Sequence, residues 1–312
     1  EAAYDVDVAT DGTVYVASRG VLAVYDVADP RDPLRIGSCS GCPSWDVANA
    51  VHLISAPGNV FALSDDWFYS IGVSGRGAAT LMYVVERGDT SVQGQRCGMD
   101  VVGGIAYLAS GNRGLRLFDV RNPWLLSEIT TYSWPNGDAD DVSVVDGRAY
   151  VTDPDSGIAI IDISEAPRSA GHWDYTAPLA GEVADVRIAG SRAFVVHGWD
   201  PARLSVVDVD NMETATIVGE LSGDPSLSVG TGLLTNGVYL YRMTGDAIDF
   251  LLDTREPSVL RERSVAMMNG LCDVAFARQY AYVAQESTFA VEVYRMIAPD
   301  RWEAARYYPA GA

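Results

Sequence analysis

The strongest constraint on the fold of this 312-residue chain is an internal repeat. A short strand-like segment with a central aromatic residue recurs seven times, as in Thr-Val-Tyr-Val at 13–16 and Arg-Ala-Tyr-Val at 148–151. The aromatic residues lie 43 to 46 positions apart, at Tyr15, Phe61, Tyr107, Tyr150, Phe194, Tyr239 and Tyr282. A period of about 40–50 residues is typical of a four-stranded propeller blade. The sequence therefore predicts an all-β fold, a seven-bladed β-propeller with four antiparallel strands per blade.

Each repeat has the same internal order of strands and turns. A first strand of the type Asp-Val-x-Val, as at 141–144, precedes the aromatic strand, and a third strand ends in apolar-Asp-apolar, as at 118–120. Proline and acidic residues then separate it from a more polar fourth strand, as at 28–33. Alternating β-branched and aromatic residues between such turns indicate short antiparallel strands.

The repeats fill the chain, so residues 1–312 are predicted to form one domain. The predicted blades span approximately 4–45, 46–93, 94–137, 138–181, 182–225, 226–270 and 271–312. In this frame the chain begins with a first strand and ends with a fourth strand, so no strand is shared between the two ends. We therefore expect face-to-face packing of the first and last blades to close the ring, and this seam to be the weakest.

Three segments carry a family resemblance. Residues 20–37, 114–120 and 157–163 resemble the LVIVD repeat of β-propeller proteins from the surface of bacteria and archaea. Ser70 and Arg295 replace the third-strand Asp in the second and seventh repeats, and the second repeat has a Gly-rich insertion around 72–77. The resemblance implies a β-propeller in an extracytoplasmic location, secreted, periplasmic or at the cell surface. It implies no reaction, because the family has no shared catalytic residues to carry over.

Charge and hydropathy exclude two classes of partner. The net charge is −20 and the pI is near 4.3. Such a field repels nucleic-acid phosphates, so we expect no nucleic-acid partner. The chain has no apolar run of about 18 residues, which predicts that no segment spans a membrane.

The start of each first strand is the first candidate site, because in the family's architecture it lies near the propeller axis. The residue nine positions before each aromatic residue, or ten positions before Tyr15, marks this start. It is glycine in two repeats, Gly98 and Gly230, and polar in five: Asp5, His52, Asp141, Asp185 and Asp273. A ring of inward carboxylates could bind a cation or a cationic group of a partner. Alternatively, each Asp accepts backbone N–H bonds in a tight loop between blades.

The densest acidic loop is a candidate calcium site. Asp138, Asp140 and Asp141 follow one another closely in the stretch 136–141, and calcium takes six to eight oxygen ligands. The loop matches no EF-hand spacing, so a solvated turn is the alternative. No other cofactor is expected.

The cysteines suggest a local crosslink. Cys39 and Cys42 lie in Cys-Ser-Gly-Cys, where Pro43 excludes a c-type haem motif. In an oxidising compartment they would form a disulfide that fastens the loop between the first two blades. Cys97 and Cys272 lie in repeats on opposite sides of the ring, so we expect no bond between them.

Aromatic residues provide a candidate binding surface. Trp45, Trp134 and Trp173 fall in a fourth strand or in the loop after it. If these loops share one face, the tryptophans form an aromatic and acidic rim, and Trp is favoured at binding hot spots. The alternative is that they cover blade edges.

These observations favour a non-enzymatic, extracytoplasmic propeller that acts as a protein-interaction or assembly module, with a protein partner or further copies of itself. An axial ligand- or metal-binding propeller, possibly a hydrolase, is the alternative. Its basis is the carboxylates at the axis and an analogy between folds.

Overall fold

The computed structural model confirms a seven-bladed β-propeller in which every blade is a four-stranded antiparallel sheet. It describes residues 3–18, 21–30, 32–40, 52–56, 58–64, 67–74, 79–86, 98–135, 137–154, 157–163, 173–176, 183–197, 203–210, 216–221, 232–244, 247–256, 263–267, 270–285 and 290–309. None of these segments forms a helix with the length and hydropathy needed to cross a membrane.

Four consecutive strands build each blade. The strands of blades 1 to 4 are β1 (Ala3–Val8), β2 (Thr13–Ser18), β3 (Val21–Asp26), β4 (Leu34–Ser40), β5 (His52–Ala56), β6 (Asn59–Leu63), β7 (Trp67–Val73), β8 (Ala79–Glu86), β9 (Met99–Val102), β10 (Ile105–Ala109), β11 (Leu115–Asp119), β12 (Ser127–Tyr132), β13 (Val142–Val145), β14 (Arg148–Asp153), β15 (Gly157–Asp162) and β16 (Trp173–Thr176). Those of blades 5 to 7 are β17 (Val183–Ala189), β18 (Arg192–His197), β19 (Arg203–Asp208), β20 (Thr216–Leu221), β21 (Gly232–Thr235), β22 (Tyr239–Thr244), β23 (Ala247–Asp253), β24 (Arg263–Met267), β25 (Leu271–Ala277), β26 (Tyr280–Gln285), β27 (Ala290–Ala298) and β28 (Arg301–Pro309).

The strands fall within the predicted blade ranges, except that β1 begins at Ala3, one residue before the predicted start. β1 to β4 form one sheet and β25 to β28 form another, so the two ends of the chain share no blade. Apolar packing closes the ring at this seam, where Val6 and Tyr25 of blade 1 join Tyr282 and Val293 of blade 7 in one buried cluster.

The core lies between the blades. Among the described residues, each pair of adjacent blades encloses one buried hydrophobic cluster. The recurring aromatic residue of the second strand, which served to align the repeats, is a buried member of these clusters in six blades. In blade 6 the prediction was wrong by two positions, because Tyr241 is fully buried and pairs with Leu234, whereas Tyr239 begins the strand and is only partly buried. The axial position of blade 6 is therefore Gly232 and not Gly230.

Two irregularities repeat around the ring. The pairing of the third and fourth strands shifts register once or more in every blade, which adds twist to the outer strand. The turn after the first strand also bonds the chain that follows the third strand, as in Val120 N–H to Gly104 O at 3.0 Å and Ile163 N–H to Gly147 O at 2.8 Å. These two connections therefore share one face of the propeller, which we call the lower face.

Candidate functional site

The axial aspartates predicted from the repeat join neighbouring blades. Asp185 Oδ2 accepts the Leu233 N–H of blade 6 at 2.8 Å, and Asp273 Oδ2 accepts the Val6 N–H of blade 1 at 3.3 Å. Asp5 likewise accepts a backbone hydrogen bond from Leu53 of blade 2. The alternative to cation binding was that each Asp accepts backbone N–H bonds in a loop between blades. These aspartates do accept backbone N–H bonds, but from the first strand of the next blade.

A bulge positions these three aspartates. The pairing of the first and second strands shifts register immediately before Asp5, Asp185 and Asp273, and in no other described blade. A bulge re-aims the side chain that follows it. Asp5 lies ten residues before Tyr15, one more than the nine that separate Asp185 from Phe194. The extra residue lies in the turn after β1, since Asp5 pairs with Ala17 as Asp185 pairs with Val196.

Two further aspartates of this kind were missed by sequence reasoning. Asp7 accepts the Ser55 N–H of blade 2 at 2.5 Å, and Asp100 accepts the Val144 N–H of blade 4 at 2.7 Å. Asp7 pairs with Tyr15 and Asp100 pairs with Tyr107, the recurring aromatic residues of their blades. Each lies two residues after the axial position of its blade. Residues two apart on a strand face the same side, so the spacing was the signal that could have found them.

Arg187 is the cation of the axial site and was also missed. Its Nη1 lies 2.9 Å from Asp141 Oδ2 in blade 4 and 2.7 Å from Asp185 Oδ1 in its own blade. Burial alone would lower the pKa of this guanidinium, but Asp185, Asp141 and Asp273 outweigh burial and raise it. Arg187 therefore stays charged and neutralises part of the carboxylate ring.

Asp5 and Asp273 are in contact with each other across the seam between blades 1 and 7. Asp5 is buried, and its side chain is hydrogen-bonded to that of Asp273. Burial first, and then the charges of Asp273 and Asp7, raise the pKa of Asp5 well above its usual range. These two carboxyl groups together therefore bind a proton more tightly than an isolated aspartate does.

A cavity of about 390 Å³ lies beside these groups. Its lining includes Asp7, Arg187 and Asp273, together with Asn236 and Arg278 from the first turns of blades 6 and 7. Those turns belong to the lower face, so the cavity lies at that end of the axis. Arg278 has a φ of 54°, a backbone conformation that is unusual for a residue with a side chain.

In the described part of the chain, which includes the acidic loop from residue 137 onward, no group of three metal-ligating side chains forms. Asp141 Oδ2 contacts Arg187, and Asp141 Oδ1 accepts the Val142 N–H at 2.8 Å. The Asp138 N–H donates to Asp153 Oδ2 at 3.2 Å. Calcium binding by Asp138, Asp140 and Asp141 stays a prediction. Asp141 already contacts the guanidinium of Arg187.

One of the three tryptophans of the predicted aromatic rim is buried. Trp134 is buried between blades 3 and 4, where its Nε1–H donates to the buried carboxylate of Asp153 at 2.5 Å. It is therefore a core residue and is not exposed to a partner. Trp173 begins β16, but its side chain lies outside the described residues, as does the whole of Trp45.

The remaining candidates are placed as follows. His52 begins β5, and its side chain is outside the described part. Cys39 lies buried in β4, whereas Cys42 is outside the described residues, so their disulfide stays a prediction. Cys272 is the bulge residue before Asp273 and its thiol contacts the Gly270 carbonyl, while Cys97 is outside the described residues.

One Ser–His pair bears on the hydrolase alternative. His197 Nε2 lies 2.8 Å from the Ser205 hydroxyl inside blade 5. Both side chains are buried, so a substrate has no access to either in this conformation.

Comparison with known proteins identifies the repeat and the fold. The LVIVD-repeat model matches residues 93–133 and 136–167. No similar protein is found among the curated proteins.

Solved structures share the fold at low identity. The computationally designed protein Ika8 is 12% identical, with a TM-score of 0.66 over 99% of this chain and 87% of that chain. PorZ of Porphyromonas gingivalis is 16% identical, with a TM-score of 0.66 over 97% of this chain and 38% of PorZ. Raptor of Chaetomium thermophilum is 11% identical, with a TM-score of 0.68 over 95% of this chain and 28% of Raptor.

This chain thus spans well under half of PorZ and Raptor, and at these identities the likeness shows the fold alone. The two matched segments correspond to adjacent blades, which are joined by reciprocal backbone hydrogen bonds between Gly111 and Ala139, both at 2.9 Å. Blades 3 and 4 of this seven-bladed β-propeller therefore match the LVIVD repeat.

Proposed function

We propose that the protein is a non-enzymatic, extracytoplasmic β-propeller that acts as a protein-interaction or assembly module. The observation that carries this proposal is an exposed Trp-Leu pair on the lower face. Trp124 and Leu125, which connect β11 and β12, are 60% and 58% exposed, although both are large apolar residues. Tryptophan is enriched at the energetic centres of protein interfaces.

The loop presents this pair in a fixed conformation. Asn122 Oδ1 accepts the Trp124 N–H at 3.1 Å, and the Asn122 carbonyl accepts the Leu125 N–H at 3.0 Å. The next residue, Leu126, is buried in the cluster between blades 2 and 3 and anchors the loop. A loop that is ordered before binding loses less conformational entropy when a partner binds.

The polar groups at the axis support the absence of an enzymatic role. Asp185, Asp273 and Asp100 accept hydrogen bonds from neighbouring blades, and Arg187 contacts two carboxylates of the protein itself. Groups used in this way hold neighbouring blades together.

Extracytoplasmic placement is supported by the LVIVD repeats and by the Cys39-Ser-Gly-Cys42 motif, which suits an oxidising compartment. PorZ, which has the same fold, is a bacterial surface component of the type-IX secretion system. Fractionation of the source cells should place this protein outside the cytoplasm, and recovery with cytoplasmic markers would contradict this part of the proposal.

The interaction role is tested by native mass spectrometry of the protein isolated from its own source. We expect a mass that corresponds to a stoichiometric partner or to several copies, and loss of most of that species in a Trp124→Ala/Leu125→Ala variant. Ile217→Ala/Val218→Ala is the matched control, because these adjacent residues are also exposed, at 48% and 49%, but lie on β20 of blade 5. A bare monomer, or equal loss in both variants, would contradict the assignment.

The axial cavity favours a second candidate function, a small-ligand or metal-binding propeller, possibly a hydrolase. Its volume of about 390 Å³ and its lining of Asp7, Arg187 and Asp273 could hold a small polar ligand. The metal content of the same sample distinguishes the two candidates. One stoichiometric metal ion on a monomer, calcium at Asp138 and Asp140 included, would favour the second.

A further inference from the structure

The seam between blades 1 and 7 differs from the other six interfaces because no chain connection crosses it. Each of these blades is made of its own four strands. Closure of the ring there depends on contacts between side chains and backbone alone. These are the apolar cluster around Val6 and Tyr282 and the polar contacts between β1 and β25.

The polar contact at this seam is a pair of carboxyl groups. Asp5 of β1 is 5% exposed and is hydrogen-bonded to Asp273 of β25. Two buried carboxyl groups this close repel each other when both are ionised, and one proton between them removes the repulsion and supplies a donor. Asp273 Oδ2 also accepts the Val6 N–H at 3.3 Å, which ties the pair to the backbone of blade 1.

The groups around the pair make its second ionisation costly. Asp7, on the same strand as Asp5, adds a further negative charge. Arg187 of β17 acts on Asp273, but its Nη1 is bonded to Asp141 and Asp185. From β5, the Leu53 N–H bonds Asp5, and His52 precedes it as another titratable residue.

We propose that Asp5 and Asp273 form a proton-dependent latch of the propeller ring. With one proton between them they hold blades 1 and 7 together, and without it two adjacent buried carboxylates repel each other and loosen the seam. The proton leaves to solvent and no other bond changes. This inference does not depend on the proposed binding role.

The direction of the pH effect follows from the raised pKa of Asp5. A carboxyl group that holds its proton more tightly in the folded state than in the unfolded state stabilises the fold fully below its ordinary pKa. That contribution is lost as the pH rises through the folded-state value. Across this window one proton is involved, so the equilibrium constant for opening should rise by up to about tenfold per pH unit.

The protein carries its own reporter of seam opening. Cys272 lies directly before Asp273 and packs, partly buried, against the cluster between blades 7 and 1. We would measure the rate at which a maleimide labels Cys272 in the full-length protein from pH 4 to pH 9, with peptide mapping to separate it from the other cysteines. The rate in an Asp5→Asn variant at the same pH corrects for the growing thiolate fraction.

Asp5→Asn keeps the latch closed at every pH, because its amide N–H can donate to the Asp273 carboxylate without a titrating proton. We expect equal Cys272 labelling in wild type and D5N in acid. At higher pH, wild type should label at least tenfold faster. The urea midpoint of wild type should fall over the same pH range, while that of D5N should not.

Two controls separate the latch from other titrations. Asp100→Asn alters an aspartate that also links two blades, through Val144, and it should retain the wild-type pH dependence. His52→Gln removes the titratable residue that precedes Leu53 in the sequence and should do the same. If wild type and D5N label equally at all pH values, or if H52Q alone abolishes the difference, the latch is wrong. Should D5N fail to fold, Asp273→Asn gives the same test from the other side of the seam.

Discussion

At the scale of single residues, different residue types occupy the axial position of the repeat in different blades. Blades 1, 5 and 7 place an aspartate there after a bulge, whereas blade 3 has Gly98. A Cβ at Gly98 would lie 2.0 Å from Asp141 Oδ1 and 2.4 Å from Asp141 Cα. The Gly98 N–H also donates to the Asp140 carbonyl at 2.9 Å. Glycine is therefore required there because blade 4 approaches its backbone directly.

Gly98→Ala should lower the free energy of unfolding by about 1–3 kcal/mol, the cost of overpacking a site where backbone atoms must move. The measurement is urea unfolding followed by tryptophan fluorescence. Gly219→Ala is the control, since its Cβ would meet only the Val206 side chain at 3.7 Å. That variant should be unchanged or more stable by up to about 1 kcal/mol. Equal effects of the two substitutions would show that close approach is not the reason for Gly98.

At the scale of strands, hydrogen bonds from side chain to backbone connect the first strand of one blade to the first strand of the next. Asp100 links β9 to β13, Asp185 links β17 to β21, and Asp7 links β1 to β5. Arg187 adds an ionic link from β17 back to β13 through Asp141. Neighbouring blades pack face to face with apolar side chains, so these polar links fix their relative position near the axis.

Arg187→Met should destabilise the protein, because it leaves Asp141 and Asp185 without their shared cation. We expect a loss at the lower end of about 3–5 kcal/mol at neutral pH, since the guanidinium is 28% exposed. The loss should shrink in acid, where protonation of the two carboxylates relieves their repulsion. Arg203→Met, which breaks the exposed pair with Glu220 inside blade 5, should cost less than about 1 kcal/mol. A loss for Arg187→Met that does not vary with pH would contradict this account.

At the scale of the whole molecule, the charge of −20 opposes the compact state. Several of the described arginines pair with acidic groups within their own blade, as Arg116 does with Glu128 and Arg242 with Asp249. Such local pairs leave the overall excess of negative charge in place. The closed ring must therefore fold against long-range repulsion between its blades.

Added salt should raise the urea midpoint at neutral pH. Between about 0.1 M and 1 M NaCl the Debye length falls from about 10 Å to about 3 Å, which screens repulsion between blades. The same comparison near the pI of 4.3, where the net charge approaches zero, is the control. An equal rise of the midpoint at both pH values would indicate a general salt effect and not relief of charge repulsion.

The sequence by itself determined the seven blades and the four strands of each, because strand alternation and turn residues are local properties that recur in every repeat. The resemblance to LVIVD-repeat propellers also implied that Asp5, Asp141, Asp185 and Asp273 lie near the axis. Two elements show where local pattern failed. The Tyr239 anchor was displaced by two residues because blade 6 offers two tyrosines at the same alternation, and only burial distinguishes Tyr241.

Only the tertiary structure decided what the axial residues do. The partners of Asp185 and Asp5 are 48 residues away, and that of Asp273 is at the other end of the chain. The sequence pattern placed Trp134 in a candidate surface rim. In the structure it is buried where blade 4 packs against blade 3, and its Nε1–H donates to the Asp153 carboxylate. A repeat specifies each blade through short-range contacts, whereas the axis is built from residues of several blades. Its chemistry therefore exists only when the ring is closed.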